Sequence, residues 1–149
     1  MEIERKYLIK DLPADLNAYP YHIIEQGYLC TEPVVRIRRQ DDDYILTYKG
    51  KGMMVREEYN LPLTKEAYEH LKPKADGNII SKKRYVIPIE QGLNIELDIF
   101  DTPFAPLILA EVEFPDEKTA DHFIPPDWFQ EDVTFDGRYH NSYLSQIQF

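Results

Sequence analysis

Cysteine is nearly absent from this chain of 149 residues, since Cys30 is the only one. A single cysteine excludes an internal disulfide and a cysteine-based metal cluster, and it makes a reducing cytoplasm the expected compartment. Long apolar runs are missing too, because the run Pro106–Ala110 stops at Glu111, far short of a membrane span. Glu2 and Glu4 stand where a secretory leader would be basic and then apolar, so neither a leader nor a membrane partner is expected.

A basic excess is also lacking. Lys and Arg number 17 against 27 Asp and Glu, which gives a formal net charge of −10. Nucleic-acid binders normally carry a basic excess, so a nucleic-acid partner is not expected. A small polyanionic substrate stays compatible with this balance, because a site responds to the charges beside it more than to the net charge.

Short runs rich in Ile, Val, Tyr and Leu recur along the chain and predict strands. The eight predicted strands are 2–9, 21–29, 34–40, 44–48, 55–61, 79–87, 93–100 and 107–114. Thr64 is a predicted N-cap for a helix that ends at Pro73, and Asp116 for a short helix that ends before Pro125. We predict a single domain, 1–149, of the all-β dominated (α+β) class: a closed or nearly closed eight-stranded antiparallel β-barrel with a few short helices packed outside.

Charged residues alternate with apolar ones along most of these strands. Side chains of a strand point to opposite faces at every second position, so each charged series shares one face. The series are Glu2, Glu4 and Lys6; Arg36 and Arg38; Lys49; Lys82 and Arg84; Glu96 and Asp98; and Glu111 and Glu113. A polar outer face explains any single strand. The repetition over six strands, with acidic and basic residues largely segregated, predicts instead that the charges face the lumen.

A charged lumen restricts what it can hold. Burying this many charges would be prohibitive without pairing, water or ions. Arg and Lys suit phosphate oxygens, and carboxylates suit a hard divalent cation such as Mg²⁺ or Mn²⁺. The two sets together predict a metal–polyphosphate site, in which positioning and charge neutralisation supply most of the catalysis.

An ordered series of motifs resembles the CYTH family, also called triphosphate tunnel metalloenzymes, in its bacterial tripolyphosphatase-like members. The motifs are Glu2–Lys6 (ExExK), Gln26–Leu29 (QGYL), Val35–Arg38 (VRIR), Leu46–Gly50 (LTxKG), Lys82–Tyr85 (KxRY), Glu96–Phe100 (ExDxF) and Leu109–Glu113 (LAExE), followed by Val133-Thr134, Arg138-Tyr139 and Asn141. The resemblance covers nearly the whole chain. It implies an eight-stranded tunnel, a divalent metal, and hydrolysis or cyclisation at a triphosphate.

The resemblance also implies site residues, position by position. The implied metal ligands are Glu2, Glu4, Glu58, Glu96, Asp98, Glu111 and Glu113. The implied phosphate-binding residues are Lys6, Arg36, Arg38, Lys49, Arg56, Lys82, Arg84 and Arg138. Lys82 and Asp98 are the candidate catalytic residues, since either could orient or deprotonate the attacking water. Two points stay open: whether Glu57 or Glu58 faces the tunnel, and whether Arg138 reaches its mouth or pairs with the acidic surface.

Hydrolysis of the terminal phosphoanhydride of inorganic tripolyphosphate is the leading hypothesis, with ATP and GTP as further candidate substrates and a homodimer as a candidate assembly. The alternatives are a class IV-type adenylate cyclase, a thiamine triphosphatase, an RNA 5′-triphosphatase and a non-catalytic polyphosphate-binding module. Cyclases of the family carry residues, including a His-Phe pair, ahead of ExExK, which begins here at residue 2. A thiamine triphosphatase needs an aromatic grip that the sequence does not locate, and a binding module could omit most carboxylates.

Overall fold

Strands dominate the computed structural model, which describes residues 1–149. The strands are β1 (Glu2–Ile9), β2 (Tyr21–Thr31), β3 (Val34–Gln40), β4 (Asp43–Lys49), β5 (Val55–Arg56), β6 (Glu58–Pro62), β7 (Asp76–Pro88), β8 (Asn94–Phe100), β9 (Ile108–Glu113) and β10 (Phe129–Asp132). The α-helices are α1 (Lys65–Leu71), α2 (Glu117–Asp121) and α3 (Asn141–Leu144), with 3-10 turns at Leu16–Ala18, Lys72–Lys74, Glu90–Gly92 and Gly137–Tyr139. None of these helices has the length and apolar character that crossing a membrane requires.

The strands form one antiparallel sheet that closes on itself. Neighbouring strands follow the order β10-β1-β9-β8-β7-β2-β3-β4-β6, and β5 pairs with β1. Lys49 of β4 lies opposite Glu58 of β6, while Arg56 of β5, two residues earlier, lies opposite Glu2 of β1. The stretch 55–62 therefore joins the two edges and closes the barrel. The predicted antiparallel barrel with short helices is confirmed.

Two strand predictions need correction. The predicted strand 55–61 is divided at Glu57, because its halves pair with different neighbours, β5 with β1 and β6 with β4. The short strand β10 was not predicted. It covers the far part of the β1 edge, with Asp132 opposite Tyr7. Both predicted caps are present: the Thr64 hydroxyl accepts from the amide of Ala67 at 3.0 Å, and Asp116 from that of Thr119 at 2.7 Å.

Apolar side chains on the outer faces of the strands form the first of two buried clusters. Ile95, Leu97 and Val112, which alternate with the charged positions of β8 and β9, belong to this cluster, and Phe123 and Trp128 pack against it from outside. The segment from α2 to β10 thus covers the outer wall. Since the apolar residues of these strands point outward, their charged neighbours are left to line the interior.

The second cluster fills one end of the lumen. Ile80, Phe100 and Leu109 share strand parity with the charged residues, yet they are almost fully buried among one another and Leu144 of α3. The inner surface is therefore charged along part of its length and apolar at the end where the C-terminal segment packs. The predicted tunnel is closed at that end by an apolar plug.

Gly77, near the start of β7, sets how closely the C-terminal segment approaches. Its φ is +69°, and a Cβ there would lie 2.0 Å from the carbonyl oxygen of Ser145. The next residue, Asn78, donates its backbone amide to that same oxygen at 2.6 Å. Gly92 offers a matched comparison, because its φ is +71° while nothing lies within 4 Å of the position of a Cβ.

We expect Gly77→Ala to lower the free energy of unfolding more than Gly92→Ala does. Both changes force an alanine into the left-handed region, at a cost of about 1–2 kcal/mol. Only at position 77 does the new methyl group also collide with backbone, so the end of α3 must move. Urea denaturation of the two variants measures the difference. Equal losses of stability would contradict this account of the close approach.

Candidate active site

A cavity opens within the charged part of the lumen. It is lined by Glu2, Glu4, Lys6, Tyr28, Val34, Arg36, Arg38, Lys49, Arg56, Glu58, Arg84, Glu96, Glu111, His140, Asn141 and Ser142. Its volume is about 70 Å³, and its walls are almost wholly polar. Eleven of the predicted site residues therefore surround one space. Glu58 is among them, whereas Glu57 is exposed, so the open question of register is answered in favour of Glu58.

The predicted catalytic residues, Lys82 and Asp98, lie in the wall and not on the cavity surface. Their side chains are fully buried, and the amine of Lys82 is 2.7 Å from Oδ2 of Asp98. It also donates to Oδ1 of Asn141 at 3.1 Å. Burial lowers the pKa of Lys82 to about 7 and the like charge of Arg84 acts in the same direction, while Asp98 opposes them.

Glu113 and Arg138 also lie outside the lining. Glu113 is exposed, and burial together with the charges of Glu58 and Glu96 raises its pKa. Glu58 and Glu96 are partly exposed, with 22% and 32% of their side chains accessible, so Glu113 lies beside the end of the cavity that faces solvent, which we call the opening. The side chain of Arg138 is 70% exposed and pairs with Asp136 at 2.6 Å, so in this arrangement it pairs with the surface and does not reach the lumen.

The charges of the lumen are divided between two arcs of the wall. Strand order places β1, β9 and β8 side by side, and these carry the acidic residues of the lining except Glu58 of β6. Strands β7, β3 and β4 carry the basic residues except Lys6 of β1 and Arg56 of β5. Ion pairs form where the arcs meet, and Lys6 pairs with Glu111 within the acidic strands. The amine of Lys49 is 2.8 Å from Oε1 of Glu2 at one seam, and Nη1 of Arg84 is 3.2 Å from Oε2 of Glu96 at the other. We call the stretch of wall formed by β1, β9 and β8 the acidic arc, and the stretch formed by β7, β3 and β4 the basic arc.

Arg84 is the most firmly held cation. Its Nε and Nη2 donate to the two oxygens of Asp98 at 2.7 and 2.9 Å, the bidentate geometry that suits a guanidinium and a carboxylate. Burial opposes the charge of both groups, but their mutual attraction outweighs it. The pKa of Arg84 is therefore held well above its ordinary value, and the pKa of Asp98 is lowered.

Arg36 and Arg38, in the middle of the basic arc, have no acidic partner. Nη2 of Arg36 donates to the hydroxyl of Thr47 at 3.2 Å, and its buried Nε has no hydrogen-bond acceptor. Nε of Arg38 donates to Oε1 of Gln26 at 2.8 Å. Burial, with the like charges of Arg36 and Arg84, lowers the pKa of Arg38 to about 9. A guanidinium stays protonated in proteins, so both arginines present uncompensated positive charge to the cavity.

Glu4, in the acidic arc, is in the converse position. Its neighbours Glu111 and Glu2 have basic partners in Lys6 and Lys49, whereas Glu4 forms no ion pair. Burial, then the charges of Glu111 and Glu2, raises the pKa of Glu4 to about 8. An ionised Glu4 is therefore disfavoured unless a cation comes close to it.

A divalent cation fits the acidic arc on this ground, and Glu4, Glu2 and Glu111 are the residues that would hold it. Carboxylate oxygens are the ligands that Mg²⁺ and Mn²⁺ prefer. The structure brings no three of its His, Cys, Asp or Glu side chains together in a metal-binding group, so only one or two of these carboxylates would contact the cation directly. That agrees with the usual binding of Mg²⁺ in proteins, in which one or two carboxylates are joined by water and by phosphates of the substrate.

Sequence reasoning missed residues from β2 and from the start of α3. Tyr28 of β2 lines the cavity with His140, Asn141 and Ser142, and Gln26 lies fully buried behind it. Gln26 and Asn141 do occur in the motifs that resemble the CYTH family, so a signal was available for them. His140 is the N-cap of α3 and Ser142 lies in its only turn, and a helix of four residues is too short for periodicity to predict the direction of a side chain.

In the lumen of this antiparallel barrel, two arginines without acidic partners face an acidic arc that could bind a divalent cation. This arrangement is suited to binding a phosphate chain. A comparison with protein families matches residues 1–123 to the CYTH domain. The chain belongs to the CYTH family, as the motifs predict, and membership implies a divalent metal requirement.

Individual relatives cover nearly the full chain. An inorganic triphosphatase of Nitrosomonas europaea is 40% identical over 148 residues, 97% of this chain and 96% of that protein. An inorganic triphosphatase of Acetivibrio thermocellus is 34% identical over 148 residues, 96% of this chain and 92% of that protein. A crystal structure of an inorganic triphosphatase is similar with a TM-score of 0.73 and 36% identity, covering 99% of this chain and 96% of that one.

We expect Glu4→Gln to reduce metal binding without destabilising the metal-free protein. The pKa of Glu4 is higher in the folded protein than in the unfolded chain, so the free energy of unfolding falls as the pH rises above the ordinary carboxyl range. A glutamine does not ionise, so it removes this loss of stability. Thermal melts at pH 8, with and without MgCl₂ or MnCl₂, measure both effects. The melting temperature without metal should equal or exceed that of the parent, and the rise produced by metal should shrink.

Glu69→Gln is the control for this experiment, because Glu69 is exposed on α1 and remote from the lumen. It should keep the full metal-induced rise. A Glu4→Gln variant that keeps the full rise as well would show that Glu4 is not a ligand.

Proposed function

We propose that this chain is a divalent-metal-dependent triphosphatase that hydrolyses the terminal phosphoanhydride bond of inorganic tripolyphosphate. The observation that carries the proposal is the pair Arg36 and Arg38, two cations in the basic arc with no acidic partner. They face a cavity whose opposite wall contains Glu4, a carboxylate in need of a cation. Two relatives of nearly the same length are inorganic triphosphatases, which supports the same activity here.

The lining favours an inorganic substrate over an organic triphosphate. Tyr28 and Val34 are the only hydrophobic residues among those that line the cavity. Sites for organic ligands are lined mainly by apolar and aromatic side chains, and a nucleobase or a thiamine ring would find little such surface here. We therefore rank tripolyphosphate above ATP, GTP and thiamine triphosphate, and a hydrolase above an adenylate cyclase. A polyphosphate-binding module would not need the acidic arc.

We assign the phosphate grip to Lys6, Arg36, Arg38, Lys49, Arg56 and Arg84, and the metal to Glu2, Glu4 and Glu111, with Glu58, Glu96 and Glu113 at the opening. Mg²⁺ or Mn²⁺, when bound, would neutralise phosphate oxygens and polarise the attacking water. Arg56 is free to contribute because its Nε is held only by the carbonyl oxygen of Gly50, at 3.3 Å. A cytoplasmic location and a homodimer stay predictions.

The reaction adds water to the terminal phosphorus and breaks its bond to the bridging oxygen, giving orthophosphate and pyrophosphate. Negative charge develops on the bridging oxygen, and the guanidinium groups of the basic arc are fixed in advance to stabilise it. The amine of Lys82 is fully buried, is held by Asp98 and Asn141, and does not line the cavity. We therefore propose that Lys82 and Asp98 position Arg84, in place of the base role considered from sequence.

The direct test is phosphate release from tripolyphosphate, ATP, GTP and thiamine triphosphate, each with MgCl₂, MnCl₂ or EDTA. Tripolyphosphate should have the highest kcat/KM, and EDTA should abolish release. A higher kcat/KM for a nucleotide would overturn the substrate assignment, and full rates in EDTA would overturn the metal dependence.

We expect Arg38→Ala to raise KM for tripolyphosphate far more than it lowers kcat, because Arg38 binds phosphate in both the ground and the transition state. Losing a hydrogen bond to a charged group costs about 2–3 kcal/mol, which corresponds to roughly 30- to 150-fold. Arg39→Ala is the matched control, since Arg39 is exposed on the other face of β3 and donates to the carbonyl oxygen of Asp41. Similar KM values for Arg38→Ala and Arg39→Ala would show that Arg38 does not bind the substrate phosphates.

A further inference from the structure

The two unpaired arginines of the basic arc are each held by a neutral, fully buried side chain. Gln26 accepts from Nε of Arg38 at 2.8 Å, and Thr47 accepts from Nη2 of Arg36 at 3.2 Å; both acceptor residues are 0% exposed. Arg84, by contrast, is held by the carboxylate of Asp98. The basic arc thus contains two kinds of anchor, neutral and anionic.

A neutral hydrogen-bond acceptor fixes the orientation of a guanidinium group without neutralising its positive charge. A carboxylate in the place of Gln26 would bind the guanidinium more strongly, and it would cancel most of the field that a phosphate oxygen experiences. For stability alone the carboxylate is the better partner, since an uncompensated buried charge is unfavourable. A neutral acceptor at this place therefore serves a ligand better than it serves the fold.

The orientation of the Gln26 amide is fixed by donors at both ends of a hydrogen-bond chain. Arg38 and Lys82 can only donate. Gln26 must therefore present its carbonyl oxygen to Arg38, which turns its NH₂ group toward Asn141. Oδ1 of Asn141 accepts from Nε2 of Gln26 and from the amine of Lys82, each at 3.1 Å. The hydrogen-bond chain thus runs from Arg38 through Gln26 and Asn141 to Lys82, and the donor and the acceptor of each bond are fixed.

We propose that Gln26 is a positioning residue for the substrate: it orients Arg38 toward the phosphate chain and, being neutral, leaves the charge of Arg38 available to it. The inference rests on the proposed function, because the ligand is taken to be a triphosphate. It goes further by giving Gln26, which the sequence did not mark as a site residue, a role that depends on its lack of charge.

The test compares Gln26→Glu and Gln26→Met with the parent. The glutamate keeps the shape and adds the charge, so it should pair with Arg38. We expect KM for tripolyphosphate to rise at least ten-fold with kcat changed less, while the melting temperature stays above that of Gln26→Met, because the new ion pair with Arg38 outweighs the lost hydrogen bond from position 26 to Asn141. The methionine keeps the volume but accepts no hydrogen bond. It should melt below the parent, and its KM should lie between those of the parent and the glutamate variant.

The proposal predicts that the glutamate variant is more stable than the methionine variant but binds tripolyphosphate more weakly. If Gln26 were only structural, the less stable variant would also be the weaker binder. A Gln26→Glu variant with the KM of the parent overturns the proposal, as does one whose melting temperature and affinity both fall below those of Gln26→Met. If the glutamate variant does not fold, a methionine variant with the KM of the parent still overturns it.

A second readout separates this inference from the proposed function. The rise in melting temperature on adding tripolyphosphate in EDTA reports binding without turnover. If tripolyphosphate stabilises the parent but the parent does not hydrolyse it with Mg²⁺ or Mn²⁺, the proposed function is refuted. The rise in melting temperature still compares tripolyphosphate binding by the parent, Gln26→Glu and Gln26→Met, so the role of Gln26 is still tested. A parent that is neither stabilised nor active refutes both.

Discussion

Charged side chains crowd the open part of this lumen, and each must find compensation within a few ångströms. Removing an ion from water costs several kcal/mol even after the surroundings relax. Arg84 meets that cost through its two bonds to Asp98. Arg36, Arg38 and Glu4 have no such partner: the arginines leave positive charge uncompensated on the basic arc, while the raised pKa of Glu4 on the acidic arc disfavours its ionised form until a cation comes close. A phosphate chain accompanied by a divalent cation satisfies both arcs at once, so the wall and its ligand complete each other electrostatically.

The same arrangement decides where the hydrophobic core lies. With charges pointing inward, the apolar faces of β8 and β9 point outward, and the segment from α2 to β10 must cover them with Phe123 and Trp128. The second cluster, with Phe100 and Leu144, fills the end of the lumen that the charges do not occupy. The outer segments are thus required by the charged interior. A barrel with an apolar interior would not need them.

Strand parity accounts for what the sequence could predict. It places Arg36, Arg38 and Glu111 on the inner surface because period-two alternation persists as long as pairing is regular. It does not say how far along the barrel a residue lies. Asp98 is therefore buried in the wall, and Glu113 is exposed at the opening, although both have the predicted parity. Residues from turns and the break at Glu57 depend on which strands meet in space, which no local pattern contains.

Parity also cannot separate the basic residues by role, because Arg38 and Arg84 alternate with apolar neighbours in the same way. Their partners separate them. A guanidinium that is paired with a buried carboxylate contributes to the wall and offers a ligand little net charge, whereas one that is held by an amide is oriented and still charged. The identity of the acceptor, Gln26 in one case and Asp98 in the other, thus distinguishes a cation whose full charge is available to a ligand from one whose charge is largely balanced by the wall. This also reconciles a chain of formal charge −10 with a polyanionic substrate, because the field in the cavity is set by which cations lack an anion beside them.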